Sequence, residues 1–132
     1  MKRESNNKEP MILVLGGPRT GKSTFSKTLS DSVWCSDDVM GRSWAEQPEI
    51  IARTILERKY EVVEGVAVAR GVRNLLRRGF KGKDICSELY VLTIPKVYLS
   101  SGQLNMKKGT ETIIKEIIPY LDKYIPIHYN VY

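Results

Sequence analysis

Residues 16–25 read GGPRTGKSTF. Glycine at a helix start costs stability, and a lysine among small residues adds nothing to a core, so this stretch needs a reason outside packing. The spacing Gly16-x-x-x-x-Gly21-Lys22-Ser23 fits the phosphate-binding loop pattern, in its required context of an apolar run before it and a helical pattern after it. Glycines let the backbone close around a phosphate chain and present its N–H groups, and the following helix adds the positive end of its dipole. Lys22 is positioned to reach the outer phosphates, and the Ser23 hydroxyl to ligate magnesium. Gly16, Gly17, Pro18, Arg19, Thr20, Gly21, Lys22, Ser23 and Thr24 are therefore the residues expected to hold a nucleoside triphosphate, taken as ATP with Mg2+. No pattern singles out adenine. The competing reading is a glycine-rich turn with a chance lysine. Lys22 itself reads as a solvent-facing charge with no core role.

Two acidic stretches lie where such a loop would use them. In VWCSDDVMGR, Asp37 and Asp38 follow a short apolar run, and Arg42 comes a few residues later. A carboxylate there can take the proton of an attacking hydroxyl, with Arg42 holding an anion of the acceptor. Asp37 is slightly preferred to Asp38, and both can instead be read as helix caps. Adjacent carboxylates repel, so the two are not expected to be buried together. In YEVVEG, Glu64 ends an apolar run before Gly65. That place suits a carboxylate holding magnesium through water, or else a solvated strand end.

Residues 66–83, VAVARGVRNLLRRGFKGK, hold six Lys and Arg and no acid, a charge equal to the whole chain's net +6. Arg70, Arg73 and Arg77 lie three and four apart, on one helical face, and are expected to bind acceptor phosphate or a longer polyanion. The plainer alternative is a solvated face. Residues 93–109, TIPKVYLSSGQLNMKKG, stand where a mobile lid would follow the fourth strand. Gln103, Lys107 and Lys108 would be its polar groups, and Gly102 and Gly109 its hinges. An ordinary surface loop reads equally well.

These residues need elements to place them. Apolar runs at 11–17, 33–36, 60–65 and 88–94 read as strands. Helical patterns at 21–32, 45–59, 68–79 and 110–124 alternate with them, the last holding Pro119, which should bend or break it. Residues 125–132 fit a short last strand. Strict alternation predicts a doubly wound α/β fold: a parallel sheet of about five strands in order 2-3-1-4-5, helices on both faces, and ligands at the carboxyl ends of the strands. Residues 1–10 read as a frayed polar tail and 11–132 as a single domain.

Bulk composition narrows the class. With 42% hydrophobic and 27% charged residues the chain carries enough apolar content to fold. No apolar run approaches the length that spans a bilayer, and no secretory signal follows the early basic residues. Two cysteines, read as reduced and buried, and one histidine argue against a disulfide or zinc site and for the cytoplasm.

Taken together, GGPRTGKST, CSDDVMGR and VVEG resemble the P-loop kinases that act on nucleosides, nucleotides and polynucleotides. The SDD…R stretch is similar to the acid-and-arginine motif of polynucleotide kinases, whose aspartate is the base toward a sugar hydroxyl. Residues 64–109 also resemble phage-encoded P-loop kinases, some of which phosphorylate 5-hydroxymethyluracil in viral DNA; a phage protein would work in the host cytoplasm. The resemblance implies a P-loop NTPase fold and transfer of the γ-phosphoryl of ATP to a hydroxyl on DNA. Residues 36–59 leave room for one helix, without the insert with which nucleoside monophosphate kinases enclose a free acceptor. That implies an open acceptor side suited to a macromolecule. A kinase of free nucleosides or nucleotides, and an ATP-hydrolysing switch needing no acceptor base, remain the alternatives.

Overall fold

The computed structural model describes residues 10–132. The expected polar tail, apart from Pro10, lies outside the described residues. Five strands, β1 (Ile12–Gly16), β2 (Val33–Cys35), β3 (Val62–Gly65), β4 (Glu88–Leu92) and β5 (Ile127–Tyr129), form one sheet in the order β2-β3-β1-β4-β5. Every neighbouring pair is parallel. The helices are α1 (Lys22–Leu29), α2 (Glu46–Glu57), α3 (Val68–Arg77), the single turn α4 (Gly82–Ile85) and α5 (Ser101–Leu121).

The strand order explains how the helices divide. Right-handed crossovers put a leftward connection on one face of the sheet and a rightward one on the other. Only the step from β1 to β2 runs leftward, and α1 stands on its face without α2, α3 or α5. Phe25 of α1 packs there on Val14, Val62 and Leu92. On the opposite face α2, α3 and α5 bury Ile51, Ile55, Val72, Leu75, Ile114, Ile117 and Leu121 against Leu13, Leu15, Val63, Leu89 and Val91. Alternate residues of β1 thus serve two cores, as a central parallel strand requires. Arg58 is the largest fully buried side chain and closes the lower end of the larger core. Its guanidinium donates to the carbonyls of Ile55, Asp84 and Ile85, tying α2 to α4.

Three elements differ from the sequence reading. Helix α5 begins at Ser101 rather than near 110, because Ser100 and Gln103 form a reciprocal capping box: each side chain takes the other's backbone N–H. Pro119 neither ends nor breaks α5, which runs on to Leu121; a proline in the last turn removes only one intrahelical bond. The turn α4 was not anticipated. Cys86 is buried but Cys35 only half-buried, and both are free thiols. Among the described residues no helix is long and apolar enough to cross a membrane.

Candidate active site

The carboxyl ends of β1, β2 and β3 meet at one edge of the sheet, and the register sets Val14, Cys35 and Glu64 abreast. The glycine-rich loop leaves this edge. A Cβ at Gly16 would fall 2.1 Å from the Leu92 carbonyl oxygen, so the loop can leave β1 this close to β4 only with glycine there. Gly21, at φ 86°, is the N-cap of α1, a left-handed conformation that costs glycine little. Arg19 also adopts a left-handed φ of 63°, an unusual state for a side-chain-bearing residue, and its carbonyl accepts from Lys96 N–H at 2.7 Å. Among the described residues no side-chain cap bond forms at the Gly21 N-cap of α1, which leaves its first-turn N–H groups available to an anion. The buried Thr20 hydroxyl donates to the Gly17 carbonyl, closing the loop on itself.

Lys22 is not the solvent-facing charge the sequence suggests. It is buried, and its ammonium donates to the Gly17 carbonyl at 2.6 Å and lies 3.4 Å from Thr20 Oγ1. Burial lowers its pKa, opposed by the nearby Glu64 and Asp37 carboxylates, which favour the charged form. The cation is thus held within the loop, with little water around it.

Glu64 is no solvated strand end either: it is 2% exposed, and its Oε2 accepts the Ser23 hydroxyl at 2.6 Å. This contact joins α1 to β3 over 41 residues of sequence. Next to it, a Cβ at Gly65 would lie 1.8 Å from Ser36 Oγ. The buried Ser36 hydroxyl accepts from Ala67 N–H at 3.3 Å and fills that space, so β2 and β3 can end side by side only with glycine at 65. Among the described residues no three His, Cys, Asp or Glu side chains cluster to enclose a metal. A hydroxyl and one buried carboxylate nevertheless fit magnesium, which keeps several waters and shares its shell with phosphate oxygens.

A cavity of about 380 Å³ lies over these groups. Lys22, Ser23 and Glu64 form its floor, Asp37 and Met40 one wall, and Gln103 and Met106 of α5 another. Asp37 sits in a 3₁₀ turn, Ser36–Val39, at the end of β2, and is exposed. Asp38 and Arg42 are also exposed but do not line the cavity. Among the carboxylates at this edge, the two that line the cavity are Asp37 and Glu64.

Arg70, Arg73 and Arg77 do not reach it. The Arg70 guanidinium is buried against α2, where it donates to Gln47 Oε1 and the Trp44 carbonyl and stacks 3.5 Å from the centre of the exposed Trp44 ring. Arg73 and Arg77 turn the other way, to Glu116 of α5 at 3.5 and 3.4 Å. Helical spacing put all three on one face, but packing between α2 and α5 divides it.

The expected lid is largely helix. Gly102 and Gly109 lie inside α5 rather than at hinges. Gln103 reaches the cavity, Lys107 packs its backbone and stem on Gly17 and pairs with Glu111 at 2.8 Å, and Lys108 faces away beside Tyr98 and Leu104. Tyr124 and Tyr129, near the end of the sequence, are exposed away from this cavity. The one that approaches the loop is Tyr132, whose ring covers Gly21 and meets Phe25 at a centroid distance of 5.6 Å. Neither Tyr132 nor Ser36 carries a signal in the sequence, since each acts through a contact made only in the fold.

Compared with protein-family models, with curated proteins and with solved structures, the chain matches none.

Proposed function

We propose that this chain is a P-loop kinase that transfers the γ-phosphoryl of ATP to a hydroxyl group. The observation that carries the reading is the lining of one cavity: Lys22, the Ser23–Glu64 pair and Asp37 converge on it from α1, β3 and the turn after β2. Each matches one requirement of phosphoryl transfer, in which positioning and charge stabilisation do most of the work.

The glycine-rich loop and the free N–H groups of α1 receive the phosphates. Lys22 exchanges its bond to the Gly17 carbonyl for one to a phosphate oxygen, keeping its charge inside the loop. Ser23 and Glu64 would hold magnesium, the latter through water, which would supply charge neutralisation for the β- and γ-phosphates. Asp37, on the open side, accepts the proton of the acceptor hydroxyl as its oxygen bonds to the γ-phosphorus. The bond from that phosphorus to the β–γ bridging oxygen breaks, and ADP leaves.

The acceptor we propose is a hydroxyl on nucleic acid, with hydroxymethylated DNA as the particular candidate. Supporting this, residues 36–61 contain only the short turn and α2, and of these Asp37 and Met40 line the cavity and stand exposed at its rim. Such a rim admits a base or sugar still attached to a chain. A second reading, a free nucleoside or nucleotide as acceptor, is favoured by one specific finding: Arg70, Arg73 and Arg77 do not line the cavity, so no basic track leads along it. Incubation with γ-labelled ATP, Mg2+ and a panel of nucleosides, nucleotides, normal DNA and hydroxymethylated DNA separates these. Label in DNA alone supports the first, label in a small acceptor alone the second. Release of phosphate with no labelled acceptor would leave a nucleotide hydrolase and remove the kinase reading.

A further inference from the structure

A second cavity, of about 470 Å³, lies between the ends of α3 and α5. Arg73, Arg77, Lys81 and Lys123 line it against a single acid, Glu116. Four cations and one carboxylate leave three positive charges. The Glu116 pairs are long and solvent-exposed, and such pairs hold their partners weakly. Lys81 and Lys123 are exposed and have no ion pair among the described residues. Three of the six basic residues of 66–83, Arg73, Arg77 and Lys81, thus line this groove, and none of the six lines the cavity over the glycine-rich loop.

The same groove carries aromatic rings open to solvent. Tyr120, in the last turn of α5, is 63% exposed and Tyr124, in the turn that follows the helix, 56%; both line the groove, as does Phe80. Cations alone would suit any polyanion. Cations interleaved with exposed aromatic faces suit a ligand that has both a phosphate backbone and free base faces, as single-stranded nucleic acid does and a duplex does not. Helix α5 separates the two sites: Gln103 lines the first and Tyr120 the second, and at 1.5 Å per residue they stand about 25 Å apart.

We propose that the groove formed by Arg73, Arg77, Lys81, Lys123, Tyr120 and Tyr124 is a binding site for single-stranded nucleic acid, separate from the cavity over the glycine-rich loop. The cations follow the backbone and the two tyrosines stack bases. Binding needs no nucleotide and does not depend on the phosphotransfer reading. If that reading also holds, the groove anchors a strand whose reacting hydroxyl lies about 25 Å away along α5.

The test is fluorescence anisotropy with a labelled oligothymidylate, across a salt series and without ATP, on the full chain and on two double variants of exposed residues. The wild-type chain is expected to bind, and to prefer the single strand to a duplex of the same length. Lys81→Ala with Lys123→Ala should weaken binding and reduce the slope of log affinity against log salt by about 1.4, near 0.7 for each lost contact to a single strand. Tyr120→Ala with Tyr124→Ala should weaken binding roughly 5- to 150-fold for each stacked base, leaving the slope unchanged. Melting curves matching the wild type show that both variants are folded, and phosphorylation of a small acceptor, if present, should persist in the tyrosine variant. No binding by the wild type, equal binding to duplex, or a tyrosine variant as tight as the wild type would each overturn the proposal. The last outcome would mark a general polyanion patch. Loss of kinase activity in every assay would leave it standing.

Discussion

Ser23 donates its hydroxyl to Glu64 across the gap between α1 and β3, at 2.6 Å, with the carboxylate almost wholly buried. A buried carboxylate is costly unless hydrogen-bonded or paired, and here a hydroxyl and the neighbouring Lys22 charge share that duty. On the proposed kinase reading, these two oxygens would hold the phosphate-bound cation. Glu64→Gln and Ser23→Ala should each raise the Mg2+ concentration needed for half-maximal phosphotransfer by roughly 10- to 100-fold. Titrating Mg2+ at saturating ATP checks this, and an unchanged Mg2+ requirement in both variants would remove them from the metal site.

Lys22→Ala should abolish phosphotransfer, but it should not be silent in stability. The ammonium donates to the Gly17 carbonyl and stands beside the buried Glu64, so its removal takes a charge-assisted bond from that carbonyl and leaves the buried carboxylate with the Ser23 hydroxyl but no neighbouring cation. A loss of about 1–3 kcal/mol is expected, read as a lowered melting temperature with a native circular dichroism spectrum below it. A melting temperature equal to the wild type would contradict the buried placement.

Asp37 lines the cavity and Asp38 does not. Asp37→Asn should therefore lower turnover by roughly 10²- to 10⁴-fold, the usual range for losing a general base. Asp38→Asn should stay close to the wild type, and ATP affinity should hold in both. Equilibrium binding of a labelled ATP analogue and turnover measured side by side decide the matter. If Asp38→Asn shows the larger loss, the base has been assigned to the wrong carboxylate.

Gly109 tests the helical course of residues 101–109. It lies inside α5, and a Cβ there meets no atom within 4 Å. Gly109→Ala should raise stability by about 0.5–1 kcal/mol, the helical preference for alanine over glycine. A hinge would behave in the opposite way: the variant would lose activity and gain nothing in thermal or urea unfolding.

Burial pushes the Cys35 and Cys86 thiols up to about 12 from an ordinary 9.0. Both should resist alkylation at pH 8 in the folded chain and react once it is unfolded in urea, since the thiolate is the reactive form. Between pH 9 and 12 the folded state retains protons that the unfolded state has released, so these thiols contribute stability below pH 9 that is lost as pH rises toward 12. Replacing both by alanine should flatten that part of the stability profile, followed by urea unfolding at a series of pH values.

Much of this was legible in the residue order. The alternation of apolar runs with helical patterns, broken at Gly16 and Gly65, determined a parallel α/β sheet with helices on both faces, because period and punctuation are local properties; the order 2-3-1-4-5 is the one expected, but alternation alone does not fix it, since it depends on long-range pairing. The spacing from Gly16 to Ser23 likewise marked a tight glycine loop between a strand and a helix, since a turn of that kind draws its geometry from adjacent residues. The capping box of Ser100 and Gln103 was also present to be read, but Gly102 and Gly109 suggested hinges instead. What only the tertiary structure decided depends on distance across the chain. That Glu64 is buried against Ser23, that Lys22 is drawn into its own loop, that Asp37 and not Asp38 meets the cavity, and that Arg70 turns to α2 while Arg73 and Arg77 turn to α5 all follow from which elements pack together. Helical periodicity assigns a residue to a face, but the neighbour filling that face sets which way a long side chain goes, and that neighbour is supplied by the sheet order and the helices packed on it.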